Sequence, residues 1–105
     1  MPVSAVNTFR LRSGVTAEQF ERFSADLDRP TCLAFDVVFD FEVYLTEGEG
    51  TEVVEIMTVS SWPEWERVRD ASPELKPVVE RFDELVEPSS VATLLTRKSP
   101  LPQEI

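Results

Sequence analysis

Glu55 lies among Val53, Met57 and Val59 in a segment whose alternation predicts a β-strand. A carboxyl group on that face loses hydration, which raises its pKa toward the range useful for proton transfer near neutrality. The other readings are a strand-edge glutamate paired with Arg10 or Arg12, or one turned into a subunit interface. Asn7 interrupts the apolar face of the first predicted strand. Its amide can orient a substrate carbonyl or N–H, or stabilise an enolate; the alternative is a core amide bonded to backbone. Asp28-Arg29-Pro30-Thr31 follows the first predicted helix. Asp28 there is either an acid/base at the mouth of a pocket, with Thr31 as a neighbouring donor, or part of an ordinary helix stop.

Trp62 and Trp65 begin the second helical region and Tyr44 sits on a strand. Aromatic rings can wall a flat heteroaromatic ligand, or simply fill a core, and Tyr44 has a third option on an uncovered sheet face. Cys32 is the single cysteine and has no imidazole to activate it, so a buried small residue is expected rather than a nucleophile. The chain contains no histidine, which removes Ser-His-Asp and Cys-His systems and histidine metal sites. Glu47, Glu49 and Glu52 surround a glycine turn too short for a calcium loop and read as solvated charge. No phosphate-cradling glycine loop or metal-ligand spacing occurs.

The elements that must position these groups are legible from periodicity. Residues 3–12 alternate as a half-buried strand. Thr16 and Gln19 match a capping box, and Phe20, Phe23 and Leu27 follow at helical spacing until Pro30, where the helix is expected to stop. Phe35 to Leu45 alternates as the second strand, with Phe35, Val37, Phe39, Phe41, Val43 and Leu45 on one side. Glu47-Gly48-Glu49-Gly50 reads as a hairpin loop. Val53 to Ser60 is apolar on both sides, which predicts a central strand. Ser60 or Ser61 caps a short helix, and Ser72-Pro73 restarts it with an irregular first turn at Pro77. Pro88 ends that helix and Val91 to Thr96 makes the last strand.

The order β-α-β-β-α-β predicts an α+β, ferredoxin-like domain over residues 1–97: a four-stranded antiparallel sheet with helices on one face. Residues 98–105, with Pro100 and Pro102, read as an extended tail. Helices can cover only one side of the sheet, and Val38, Tyr44, Val54 and Ile56 are expected on the other. A twofold homodimer, with the tail reaching across it, would bury that surface.

Composition narrows the function. The chain has 105 residues, 42% of them hydrophobic, with seven Phe and two Trp, enough for one packed core. Its formal charge of −10 repels phosphate backbones and anionic lipid, so neither nucleic acid nor membrane is expected as a partner. Ser4, Asn7, Thr8 and Arg10 break up the N-terminal apolar residues, so no signal peptide is predicted. With the lone cysteine this points to the cytoplasm.

Phe9-Arg10-Leu11 with Gly14-Val15, Asp28-Arg29-Pro30-Thr31, Phe41-Glu42-Val43-Tyr44 and Val54-Glu55-Ile56, in that order and spacing, carry a resemblance to a known family. The chain resembles the dimeric α+β barrel superfamily and, within it, the REDY-like (HapK-like) proteins of pigment biosynthesis, over residues 6 to 96. It departs from them at Leu33-Ala34-Phe35-Asp36-Val37, where a small polar turn is usual. The resemblance implies a fold that works without cofactor or metal and holds a small aromatic molecule between sheet and helices. It implies a cyclase acting on a pyrrole- or indole-type intermediate, with a cofactor-independent monooxygenase and a non-catalytic carrier as the other readings. Glu55 and Asp28 would move protons. Asn7, Thr31, Phe9, Met57, Trp65 and Tyr44 would contact substrate. Haem-degrading relatives carry an asparagine comparable to Asn7, but their histidine ligand has no counterpart here.

Overall fold

Alternating β-branched and aromatic residues form four strands in the computed structural model, which describes residues 1–48 and 50–101. They are β1 (Val3–Arg10), β2 (Val38–Leu45), β3 (Glu52–Val59) and β4 (Ala92–Thr96). All neighbours are antiparallel, in the order β2-β3-β1-β4. The doubly apolar β3 is thus internal, as its pattern predicts. The helices are α1 (Ala17–Phe23), α2 (Arg29–Leu33), α3 (Trp62–Ala71) and α4 (Lys76–Leu85). This is the ferredoxin-like α+β architecture.

Thr16 starts α1 with both halves of a capping box: its Oγ1 accepts from the Gln19 amide at 3.1 Å, and its own N–H donates to Gln19 Oε1 at 2.8 Å. Ser61 caps α3 by accepting from the Glu64 amide. Pro73–Leu75 forms a single 3-10 turn before α4, and Pro77 falls in the first turn of α4, where its missing N–H is not needed. Gly48 and Gly50, in the hairpin loop, take φ of +94° and +70°, which an L side chain rarely adopts. Glu49 between them, and the tail from Pro102 onward, lie outside the described residues.

Pro30 does not stop the first helix. A π-helical turn over Ser24–Asp28, in which the Arg29 N–H reaches Ser24 O, widens the helix just ahead of it. Pro30 therefore lands in the first turn of α2, and the chain continues helically to Leu33. Asp28, the last residue of the widened turn, faces inward instead of marking an exposed end.

The second strand also departs from its apparent alternation. Val38 pairs with Val59 and Asp40 with Thr58, leaving Phe39 as a bulged extra residue. One inserted residue exchanges the two sides of a strand. Val38, expected on the uncovered side, is buried in the core, while Phe39 is 55% exposed. Phe35 and Val37 precede the strand and pack against the core from the turn.

The core fills the space between the helices and the face bearing Ala5, Phe9, Val53, Met57 and Val59. Phe9 meets Phe20 and Phe82 edge-on at 5.5 and 5.0 Å between ring centroids. No helix among the described residues covers the other face, where Tyr44 and Leu94 are 51% and 65% exposed. No helix among the described residues is long and apolar enough to cross a membrane.

Candidate active site

The strand register draws a polar row across the helix-facing side of the sheet. Glu55 on β3 is directly opposite Asn7 on β1, and Asn7 is opposite Thr93 on β4. The Thr93 hydroxyl donates to Asn7 Oδ1 at 2.7 Å. That bond uses the amide's acceptor and leaves its N–H₂ group as the donor available to a ligand.

From the helical layer, the widened turn brings Asp28 down over this row. One turn later Cys32 donates its S–H to Asp28 Oδ1 at 3.6 Å. Trp62 and Trp65 on α3, and Val78, Val79 and Phe82 on α4, close the remaining sides, with Phe41 and Met57 on the sheet. Together they enclose a hollow of about 300 Å³ that is open on one side. Phe35 backs Trp65 edge-on at 6.3 Å.

The carboxyl groups in this hollow are unusual. Glu55 is 4% exposed and its Oε2 has no hydrogen-bond partner among the described residues. Burial, and next the charge of Asp28, push its pKa up to about 8, although Arg29 opposes the shift. Asp28, 6% exposed, is pushed up by burial to about 6, against the Cys32 hydrogen bond and the Arg29 charge. Near neutrality Glu55 thus keeps its proton and Asp28 has mostly lost it. One residue can give a proton while the other takes one. Burial and then the neighbouring carboxylate Asp28 push the Cys32 thiol upward, so it remains a thiol and a poor nucleophile.

Of the residues expected to contact substrate, Asn7, Met57 and Trp65 line this hollow together with Glu55 and Asp28. Phe9 lies behind the wall, held by Phe20 and Phe82. Thr31 is half-buried on α2 and does not reach the lining. Tyr44 is on the uncovered face because its neighbour Val43, not Tyr44, shares the Glu55 side; its hydroxyl donates to Glu42 Oε2 at 3.1 Å. Periodicity missed Thr93, Arg69 and the α4 wall. Arg69 was within reach of it, since Trp62, Trp65 and Arg69 recur on one helical face. Thr93 carries no such signal, because only the register of β4 on β1 brings it to Asn7. A larger hollow of about 520 Å³ lies against α1 and α4, but Glu18, Arg22, Asp26 and Arg81 make it a charged surface groove without a buried titratable group. Among the described residues no group of three or more His, Cys, Asp or Glu is arranged to hold a metal ion.

The family model of REDY-like protein HapK matches residues 3–98. The chain belongs to this family. HapK from Hahella chejuensis superposes with a TM-score of 0.77 at 17% identity, covering 98% of both chains. SnoaB, a cofactor-independent oxygenase from Streptomyces nogalater, gives 0.79 at 16% identity, again over 98% of each chain. A dimeric protein of unknown function and ferredoxin-like fold from Bacteroides fragilis gives 0.66 at 19% identity, covering 92% of this chain and 96% of its own. At these identities what the HapK-family chain shares with the three structures is the fold. No curated protein sequence matches it.

Proposed function

We propose that this HapK-family protein is a cofactor-independent enzyme of natural-product biosynthesis, acting as a homodimer on a flat aromatic intermediate of pyrrole or indole type. The observation that carries the reading is the pair Asp28 and Glu55, held at different protonation states in one aromatic-walled hollow, with Glu55 Oε2 unpartnered. A cyclisation uses both groups. Protonated Glu55 donates to a substrate carbonyl oxygen and makes its carbon electrophilic, while Asp28 takes the proton from the attacking N–H or C–H centre. The new bond forms with no atom lost, and proton return from Asp28 to Glu55 through solvent resets the site. Asn7 donates to the same oxygen, and the Trp62 and Trp65 rings hold the ligand plane.

A second reading, a cofactor-independent oxygenase, is favoured by the likeness to SnoaB. In that case Asp28 removes the acidic proton, the resulting carbanion adds O₂ to give a peroxide that Glu55 protonates, and O–O cleavage with loss of water leaves a carbonyl on that carbon. Oxygen-electrode traces separate the two. Turnover without O₂ uptake supports the cyclase, stoichiometric uptake supports the oxygenase, and binding without turnover of either kind leaves a carrier.

The uncovered sheet face supports the dimer. Tyr44, Val54, Ile56 and Leu94 form an apolar surface across the sheet, and the Bacteroides relative of the same fold is dimeric.

A further inference from the structure

Among the described residues Arg69 is the only cation lining the hollow, in a chain whose formal charge is −10. It follows Trp65 by four residues on α3 and shares its face. Trp65 is buried, whereas the Arg69 side chain is 41% exposed, so this face of α3 runs from the inner wall of the hollow to its mouth. The guanidinium contacts Asp70 through Nε at 3.2 Å and Glu66 through Nη2 at 3.8 Å. Both acids are exposed, and such solvated pairs hold an arginine weakly. Glu55 and Asp28, both buried, line the same hollow.

An anion entering this hollow meets the charge of Asp28 inside and the field of an acidic protein outside. Arg29 offsets part of the Asp28 charge without lining the hollow, and Arg69 is the cation an entering ligand meets. A neutral ligand would gain little from it, and a cation would be opposed by it. A guanidinium fork also matches carboxylate or sulfonate oxygens in shape as well as charge.

We propose that Arg69 selects for charge, so that the hollow takes flat aromatic acids with the anionic group at the mouth and a carbonyl or N–H at Glu55. The inference rests on the proposed reading of the hollow as the substrate site and adds the class of substrate to it.

Two fluorescent dyes with the same aromatic skeleton test it: 8-anilinonaphthalene-1-sulfonate, an anion, and N-phenyl-1-naphthylamine, which is neutral. Arg69→Met, which keeps the aliphatic stem, is expected to weaken the sulfonate about fivefold or more and to leave the neutral dye within about twofold, as loss of one partly exposed charge-assisted contact requires. Arg69→Lys should keep most of the sulfonate affinity, and salt should weaken the sulfonate alone. Equal changes for both dyes, or none for either, overturn charge selection and leave the hollow as a binding site. Val79→Trp, at a half-exposed wall position, should block both dyes. If both still bind that variant undiminished, or if neither binds the native protein, the hollow itself is not the site and the inference falls with it.

Discussion

Glu55 and Asp28 open on one hollow from opposite layers of the fold, and the Asp28 charge adds to burial in holding the Glu55 proton. A carboxylic acid and a carboxylate thus coexist at neutral pH within one apolar enclosure. The first expectation is direct. In a carboxyl-carbon NMR titration Glu55 should change state near pH 8 and Asp28 near pH 6. Asp28→Asn should move the Glu55 transition downward, because it removes a like charge. A Glu55 transition at the ordinary glutamate position would overturn the proton-donor role.

The same shifts set the pH dependence of stability. Both folded-state pKa values lie above the unfolded ones, so the folded protein binds more protons and its stability falls as pH rises. The contribution is fully present below about pH 4 and is lost as pH rises through about 6 for Asp28 and about 8 for Glu55, the more strongly shifted of the two. Urea midpoints should therefore decline from pH 5 to pH 8.5. Glu55→Gln should flatten that decline and be more stable than the native protein at the alkaline end.

Turnover should follow a bell-shaped pH profile with limbs near 6 and 8, since it needs Asp28 ionised and Glu55 protonated. Glu55→Gln and Asp28→Asn should each lower kcat by about 10²–10⁴-fold while circular dichroism stays unchanged. If both variants turn over at the native rate while still binding ligand, the carrier reading replaces the enzymatic one.

Cys32 reports on the same pair. Its thiol is buried and held protonated, first by burial and next by Asp28, so alkylation by iodoacetamide should be slow in the native state. Asp28→Asn should accelerate it at equal global stability. Unchanged rates would mean that the thiol does not sense the Asp28 charge.

The uncovered sheet face gives a test of assembly. Light scattering of the native protein should report about twice the 11.9 kDa chain mass. Leu94→Glu or Ile56→Lys should shift it to the monomer, because a charge buried without a partner is costly. A monomeric native protein would remove the homodimer from the proposed function.

Short-range rules settle much of this molecule from the chain alone. The capping pair Thr16 and Gln19, the alternation of β1 and β3, and the apolar neighbours Val53 and Met57 that place Glu55 inward each depend on residues only a few positions apart. The order of elements then leaves the ferredoxin-like arrangement. Three features of the site do not yield to such reading. The π-helical turn that carries the chain through Pro30 and swings Asp28 inward depends on how the helix packs over the sheet. The bulge at Phe39, which returns Val38 to the core, depends on pairing with Val59 and Thr58 on another strand. Thr93 meets Asn7 across 86 residues of sequence. Periodicity says which way a side chain points relative to its neighbours in the chain. Register and packing decide what it points at, because those hydrogen bonds and contacts join segments that no local pattern connects.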